Sequence, residues 1–212
     1  MSLSEDVRVE REKRKHAAFA RREQDILNVA ESLMAAQGVR MVSVDVIAAR
    51  AGIGKGTIYK HFDSKREVLL AIVVRHYRTL TELLTRMADP VQAVVDWMEA
   101  QLHAPSRTRL VYELSALLAT DAQAVEHIRE ERDRMRRRMS QILSSQNQAV
   151  SDPLDRTMWL ESMVRGGIEE MDSPLHRADF DAERLIESLL RAVPVLVETT
   201  RAKKQDSRLT YL

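Results

Sequence analysis

The segment Ser43-Val-Asp-Val-Ile-Ala-Ala-Arg-Ala-Gly52-Ile-Gly-Lys-Gly-Thr-Ile-Tyr-Lys-His-Phe-Asp-Ser-Lys65 decides the fold. Ser43 is a good N-cap for the run that follows, and Asp45 in its first turn favours the helix dipole. Gly52-Ile53-Gly54 makes a tight turn, and a second short helix is predicted over Lys55–His61. Ile47, Ala48 and Ala51 from the first helix, Ile53 from the turn, and Ile58 and Phe62 around the second can close one small core. Ala48 is small enough to let the two helices cross closely. This is helix-turn-helix geometry, with the second helix free to enter a major groove. The side chains left outside are Lys55, Thr57, Tyr59, Lys60 and His61. They offer hydrogen bonds to base edges, a methyl group for thymine and donors for phosphate.

Upstream, Ile26, Leu27, Ala30, Leu33 and Met34 fall at helical spacing within Phe19–Gln37, and Gly38 is the stop signal. Residues 1–18 have no apolar periodicity and read as a charged, frayed arm; Arg8–Arg22 holds seven basic and two acidic residues, enough to meet a polyanion. Downstream, Asp63-Ser64 caps a helix from Lys65 to about Met87. Asp89-Pro90 opens another, Arg107–Ala119 forms the next, and Asp121 caps a long one to about Asn147. Asp152-Pro153 repeats the start signal for Leu154–Met171, and a last helix runs from about Asp181 to Arg201, with a kink or break expected at Pro194. No run has strand alternation. The expectation is an all-α chain of about nine helices: arm 1–18, helix-turn-helix DNA-binding domain 19–64 with its motif at 43–62, larger helical domain 65–201, and polar tail 202–212.

Composition agrees. The 212 residues are 44% apolar and 31% charged with a net charge of +1, an ordinary globular mix that needs no staple. Six Gly and five Pro are too few for the turns of an all-β fold of this size. The absence of Cys excludes disulfides, thiolate catalysis and Cys-based metal sites. No apolar run approaches the ~18 residues of a membrane span, and no signal-peptide core begins the chain, so a cytoplasmic protein is expected. The six His lack metal-ligand spacing, no Ser stands in a nucleophile elbow, and the Gly52–Gly56 run lacks the P-loop pattern. An enzyme, a metal site and a cofactor are therefore not expected.

In Ile47-Ala48, Ala51-Gly52-Ile53, Gly56-Thr57-Ile58-Tyr59, His61-Phe62 and Ser64-Lys65, the segment resembles the TetR family of bacterial transcriptional regulators. The resemblance covers roughly Ala20–Val74. It implies a homodimer, a three-helix DNA-binding domain, and a larger helical domain that binds a ligand and dimerises. It also implies DNA contacts at Ser43, Val44, Lys55, Gly56, Thr57, Tyr59, Lys60, His61 and Lys65. Asp45 cannot favour a phosphate and is left to the helix dipole or a cytosine amino group. Lys65, at a helix start, is expected to share a phosphate with the helix amides.

In the larger domain, Arg132 interrupts the seam Val125, Ile128, Met135, Met139, Ile142. Either its stem packs while the guanidinium reaches solvent, or it is a cation facing a ligand cavity. The expected pocket is Val95, Met98, Glu113, Leu114, Leu118, Arg132, Met135 and Met139, with Tyr112 as an alternative to Glu113. Gly166-Gly167 inside a helix costs about 1 kcal/mol per residue against Ala, which points to close approach of another helix. With Leu185, Leu189, Val193 and Leu196 it is the expected four-helix dimer interface. The function expected is a regulator, most simply a repressor, released from a pseudo-palindromic double-stranded DNA operator by a small apolar or acidic-amphipathic effector. Alternatives are control by a protein partner, or a small-molecule binder with an idle DNA-binding end.

Overall fold

The computed structural model describes residues 3–146, 152–171, 173 and 180–198. These form α1 (Leu3–Gln37), a 3-10 turn (Val39–Met41), α2 (Val44–Ala51), α3 (Lys55–Ile58), α4 (Lys65–Arg86), α5 (Pro90–Leu102), α6 (Pro105–Leu118), α7 (Ala122–Gln146), α8 (Pro153–Met171) and α9 (Ala182–Glu198). The tail 202–212 lies outside the described residues.

Local chemistry accounts for most of the boundaries. Ser43 Oγ accepts from Val46 N at 3.2 Å to start α2. Gly52 ends it in the left-handed region (φ 65°), where a side chain would be strained. Ser64 Oγ accepts from Glu67 N while the Glu67 carboxylate accepts from Asp63 N, a reciprocal cap that fixes the entry into α4. Asp89, Asp121, Asp152 and Asp181 each accept amide hydrogens at the starts of α5, α7, α8 and α9. Pro105 stands at the first position of α6, where a missing N–H costs nothing.

Three expectations change. The arm is not frayed: helix α1 is continuous from Leu3, because no Gly or Pro interrupts a run of strong helix formers. Glu10–Arg14 and Glu12–Lys15 ion pairs lie along its exposed surface. Helix α3 is shorter than predicted and gives way to turns after Ile58. Helix α9 runs through Pro194 to Glu198 without ending.

Two apolar clusters organise the packing. The first joins Ile26, Leu27, Ala30 and Met34 of α1 with Ile47, Ala48, Ile58 and Phe62 of the α2–α3 unit and Val68, Leu69, Ile72 and Val73 of α4. It continues into Leu110, Val111, Leu114 and Leu118 of α6 and Ala124 and Ile128 of α7. The second gathers the far end of α4, α5, the later part of α7, α8 and α9 around Trp97 and Met98.

Charge ties the first cluster together. The buried Glu31 carboxylate of α1 accepts from Arg75 of α4 and Arg107 of α6. Beyond these pairs, Arg66 of α4 donates to Asp121 at 2.7 Å, where the same carboxylate caps α7. His76, buried beside this network, has its pKa lowered to about 4 by burial and then by the Arg107 charge.

Glu31→Gln leaves two guanidinium groups without their charge partner, so unfolding free energy falls by about 3 kcal/mol in urea titrations. The unfolded chain takes up a proton at His76 near pH 6.5, the folded one only near pH 4. This site therefore costs nothing above pH 7 and up to about 3 kcal/mol as pH falls from 6.5 to 4. The difference in stability between wild type and His76→Gln stays flat above pH 7 and shifts in favour of the variant over that acid range.

Candidate nucleic-acid interface

Helix α3 and the turn after it form the outer edge of the molecule at this end. Lys55, Gly56, Tyr59 and Lys60 are exposed and Thr57 is half-buried, while Ile58 and Phe62 point into the core. Ser43 stands exposed at the start of α2, its hydroxyl oxygen already engaged as the cap. The structure therefore places Ser43, Lys55, Gly56, Thr57, Tyr59 and Lys60 at the surface of the α2–α3 unit, with Thr57 half-buried. The Lys55 ammonium lies 2.9 Å from an Asp45 carboxylate oxygen. Their mutual hydrogen bond and charge push the lysine pKa up. Asp45 thus holds the lysine that opens α3.

Three expected DNA contacts are placed otherwise. Val44 is buried in the first cluster, since it is the first inward position of α2. His61 stacks on Phe19 of α1 with ring centroids 3.9 Å apart, and its Nδ1 is buried. Lys65 turns its ammonium inward to donate to the Val39 carbonyl at 2.7 Å, and burial lowers its pKa. It tethers the start of α4 to the turn before α2. Sequence reasoning missed the exposed Arg40 in that turn, a cation adjacent to the Ser43 end of the surface. Its position three residues before the cap was the available signal. Phe19, 48% exposed, lies inside α1 and not at its start, and is a flat support for His61.

A cavity of about 290 Å³ lies in the larger domain between α4, α5, α6, α7 and α8. Of the eight expected pocket residues it is lined by Arg132 and Met135 only. Val95 is half-buried and Glu113 faces outward; Met98 and Met139 are filled core, and Leu114 and Leu118 belong to the first cluster. Tyr112, one residue before Glu113, takes the position that a cavity contact requires on α6. The remaining wall includes His76, Tyr77, Trp97, Gln101, Arg136, Glu161 and Arg165. Arg136 and Glu161 pair through a fork, with Nε at 3.0 and 3.1 Å from the two carboxylate oxygens. The Arg165 guanidinium lies 4.6 Å over the Tyr112 ring. Burial pushes the Tyr112 hydroxyl up to about 12 and raises Tyr77, so both stay protonated.

Of the expected dimer contacts, Gly167 and Val193 are buried within the chain, Leu185, Leu189 and Leu196 are half-buried, and Gly166 is exposed. A Cβ at Gly167 would meet Leu189 Cδ1 at 2.7 Å and Leu102 Cδ2 at 3.2 Å. Close approach of a helix is thus correct, but the helix belongs to the same chain. Val193 is buried, Leu189 and Leu196 pack against the second cluster, and Leu185 is half-buried. Gly166 faces outward with nothing near it. On the same face of α8, seven residues earlier, Trp159 is 53% exposed, and Val195 of α9 is 60% exposed.

Residues 26–72 match the family profile described as bacterial regulatory proteins, tetR family. The chain is similar to the HTH-type transcriptional activator FasR of Mycolicibacterium smegmatis, 32% identical over 99 residues. That match covers 42% of this chain and spans 44% of the relative's length. Its fold is similar to a regulator from Saccharomonospora viridis solved in complex with choline, with TM-score 0.62, 21% identity, and coverage of 82% of this chain and 96% of that one. It is also similar to AibR, solved with isovaleryl coenzyme A and operator DNA, with TM-score 0.58, 20% identity, and coverage of 80% and 96%. Family profile and relatives agree with the motif at Ser43–Lys65: residues 26–72 match the tetR family of bacterial regulatory proteins, and the fold as a whole is similar to that of solved transcriptional regulators.

Proposed function

We propose that the chain is a DNA-binding transcriptional regulator that works as a homodimer and answers to a small molecule held in the interior cavity. The observation that carries this reading is the exposed edge Lys55–Lys60, set on a capped and tightly cored helix-turn-helix. It presents Lys55, Tyr59 and Lys60 outward, with Thr57 half-buried between them. A groove-reading helix needs side chains of these types at its surface and a rigid support behind them. The family match to residues 26–72 supports the same use of the segment.

The cavity supports the response. His76, Tyr77 and Leu80 of its wall lie on α4, the helix whose first residue is tied to the turn before α2. Helix α4 is 22 residues long, about 33 Å at 1.5 Å per residue, so a tilt at the cavity moves the reading surface. An effector acts only by binding the non-DNA state more tightly. A coupling of about 1–3 kcal/mol would change operator affinity about 5–150-fold. Release on effector binding, hence repression, is the simplest arrangement of this kind. The structural relatives solved with choline and with isovaleryl coenzyme A hold ligands of opposite charge, so the fold alone does not select the effector.

Dimerisation is assigned to the outward faces of α8 and α9. Trp159, Gly166 and Val195 are exposed there, and a large aromatic left in water two turns from a bare glycine on the same face suits a helix pair closing on its copy.

With DNA adjoining its own gene, the protein should protect two half-sites whose centres lie one or more helical turns, ~34 Å each, apart. Lys60→Ala should weaken binding to all sequences and lower the salt slope by about one, whereas Lys65→Met should leave the slope unchanged and lower stability. Anisotropy titrations at several salt concentrations distinguish the two. A flat salt response in wild type would rule out the reading. Trp159→Glu should lose about 2 kcal/mol or more of association and sediment as a monomer at concentrations where wild type is dimeric.

A further inference from the structure

The cavity wall carries more positive charge than it neutralises. Three arginines, Arg132, Arg136 and Arg165, line it with one carboxylate, Glu161. Glu161 is taken up by Arg136 in a two-point pair, and Arg165 rests on the Tyr112 ring. Arg132 forms no hydrogen bond or ion pair with any described residue, and its Nε is buried without an acceptor.

None of the other polar groups of the wall is hydrogen-bonded to it. Gln101 donates to the Trp97 carbonyl at 3.0 Å, the Trp97 indole N–H is directed at Met135 Sδ at 3.2 Å, and the Ser162 hydroxyl donates to the Met158 carbonyl. An orphaned guanidinium N–H in a partly enclosed space is costly unless an acceptor arrives from outside, and a carboxylate is its best geometric match. The surroundings are Leu80, Trp97, Met135 and Met158, apolar walls on which a short hydrocarbon or single ring can rest. At ~30 Å³ per water molecule the volume equals about ten waters, so the body of the ligand is compact.

We infer that the effector is a compact monocarboxylate whose anionic end pairs with Arg132, with Arg165 as the second cation and the Trp97–Met135 wall holding its apolar body. This rests on the reading of the cavity as the effector site, and it is opposite in sign to a choline-type ligand, which the arginine excess repels.

The test uses the full-length protein and four probes, octanoate, octanamide, benzoate and benzamide, by calorimetric titration without DNA. At least one carboxylate should bind at millimolar concentration or better, and its amide should bind at least about tenfold more weakly. Arg132→Met keeps the stem, so the variant should retain its helicity and lose carboxylate binding by a similar factor. If that variant fails to fold, Arg132→Lys keeps the charge without the fork and should bind the same acid more weakly than wild type. An amide that binds as well as its acid, a carboxylate affinity unchanged in both Arg132 variants, or no carboxylate binding at all overturns the inference. The same preparations are assayed for DNA binding. Loss there with carboxylate binding intact counts against the regulator reading alone, and the converse against the ligand assignment alone.

Discussion

One carboxylate fixes the relation between the two ends of the molecule. Glu31 of α1 accepts from Arg75 of α4 and Arg107 of α6, joining three helices at one buried carboxylate within the first apolar cluster. The apolar cluster around it needs no particular angle between these helices, since hydrophobic burial is non-directional. Paired guanidinium groups are directional, and a charge placed there cannot slide without losing its partner. Along α4, Arg75 meets this carboxylate while the next two residues, His76 and Tyr77, face the cavity. The cavity wall and the ion pair that ties α1 to α4 are therefore adjacent residues on one helix.

The helix-turn-helix was legible because each of its positions obeys a local rule: a hydroxyl cap at Ser43, a positive φ at Gly52, a small residue at Ala48 and apolar positions at helical spacing. What was not legible depends on distant chain. Nothing near Lys65 in sequence announces the Val39 carbonyl 26 residues earlier. Nothing near His61 announces Phe19 beneath it. Val44 follows the cap directly, and only the orientation of α2 against α1 turns it inward. For residues 3–18, the lack of an apolar stripe hides a helix that intrinsic propensity and the absence of breakers carry.

The larger domain was harder for a physical reason. A helix buried on more than one side has several apolar stripes, and sequence does not say which of them meets a void. On α6, Leu114 and Leu118 fill the first cluster while Tyr112, about half a turn away, borders the cavity. On α8, adjacent glycines have different tasks: Gly167 admits Leu189 of its own chain, and Gly166 faces outward. The motif Gly-Gly correctly signalled tight packing, but two neighbouring positions on a helix point about 100° apart and cannot serve one neighbour. The Arg132 interruption of the α7 seam, by contrast, was informative in the sequence: it marks where that helix borders the cavity rather than filled core.

The continuity of α1 gives the basic N-terminal residues a fixed rotational phase. Ile26, Leu27, Ala30 and Met34 lock the helix against the core, and no Gly or Pro interrupts it between Leu3 and Gln37. The azimuth of Arg8, Arg11 and Lys15 is thereby dictated by packing that begins at Ile26, eleven or more residues away. The chain behaves there as a threaded rod: one residue added between Phe19 and Ile26 would turn the whole basic surface by about 100° and advance it by about 1.5 Å, while adding seven would return it almost to its original bearing.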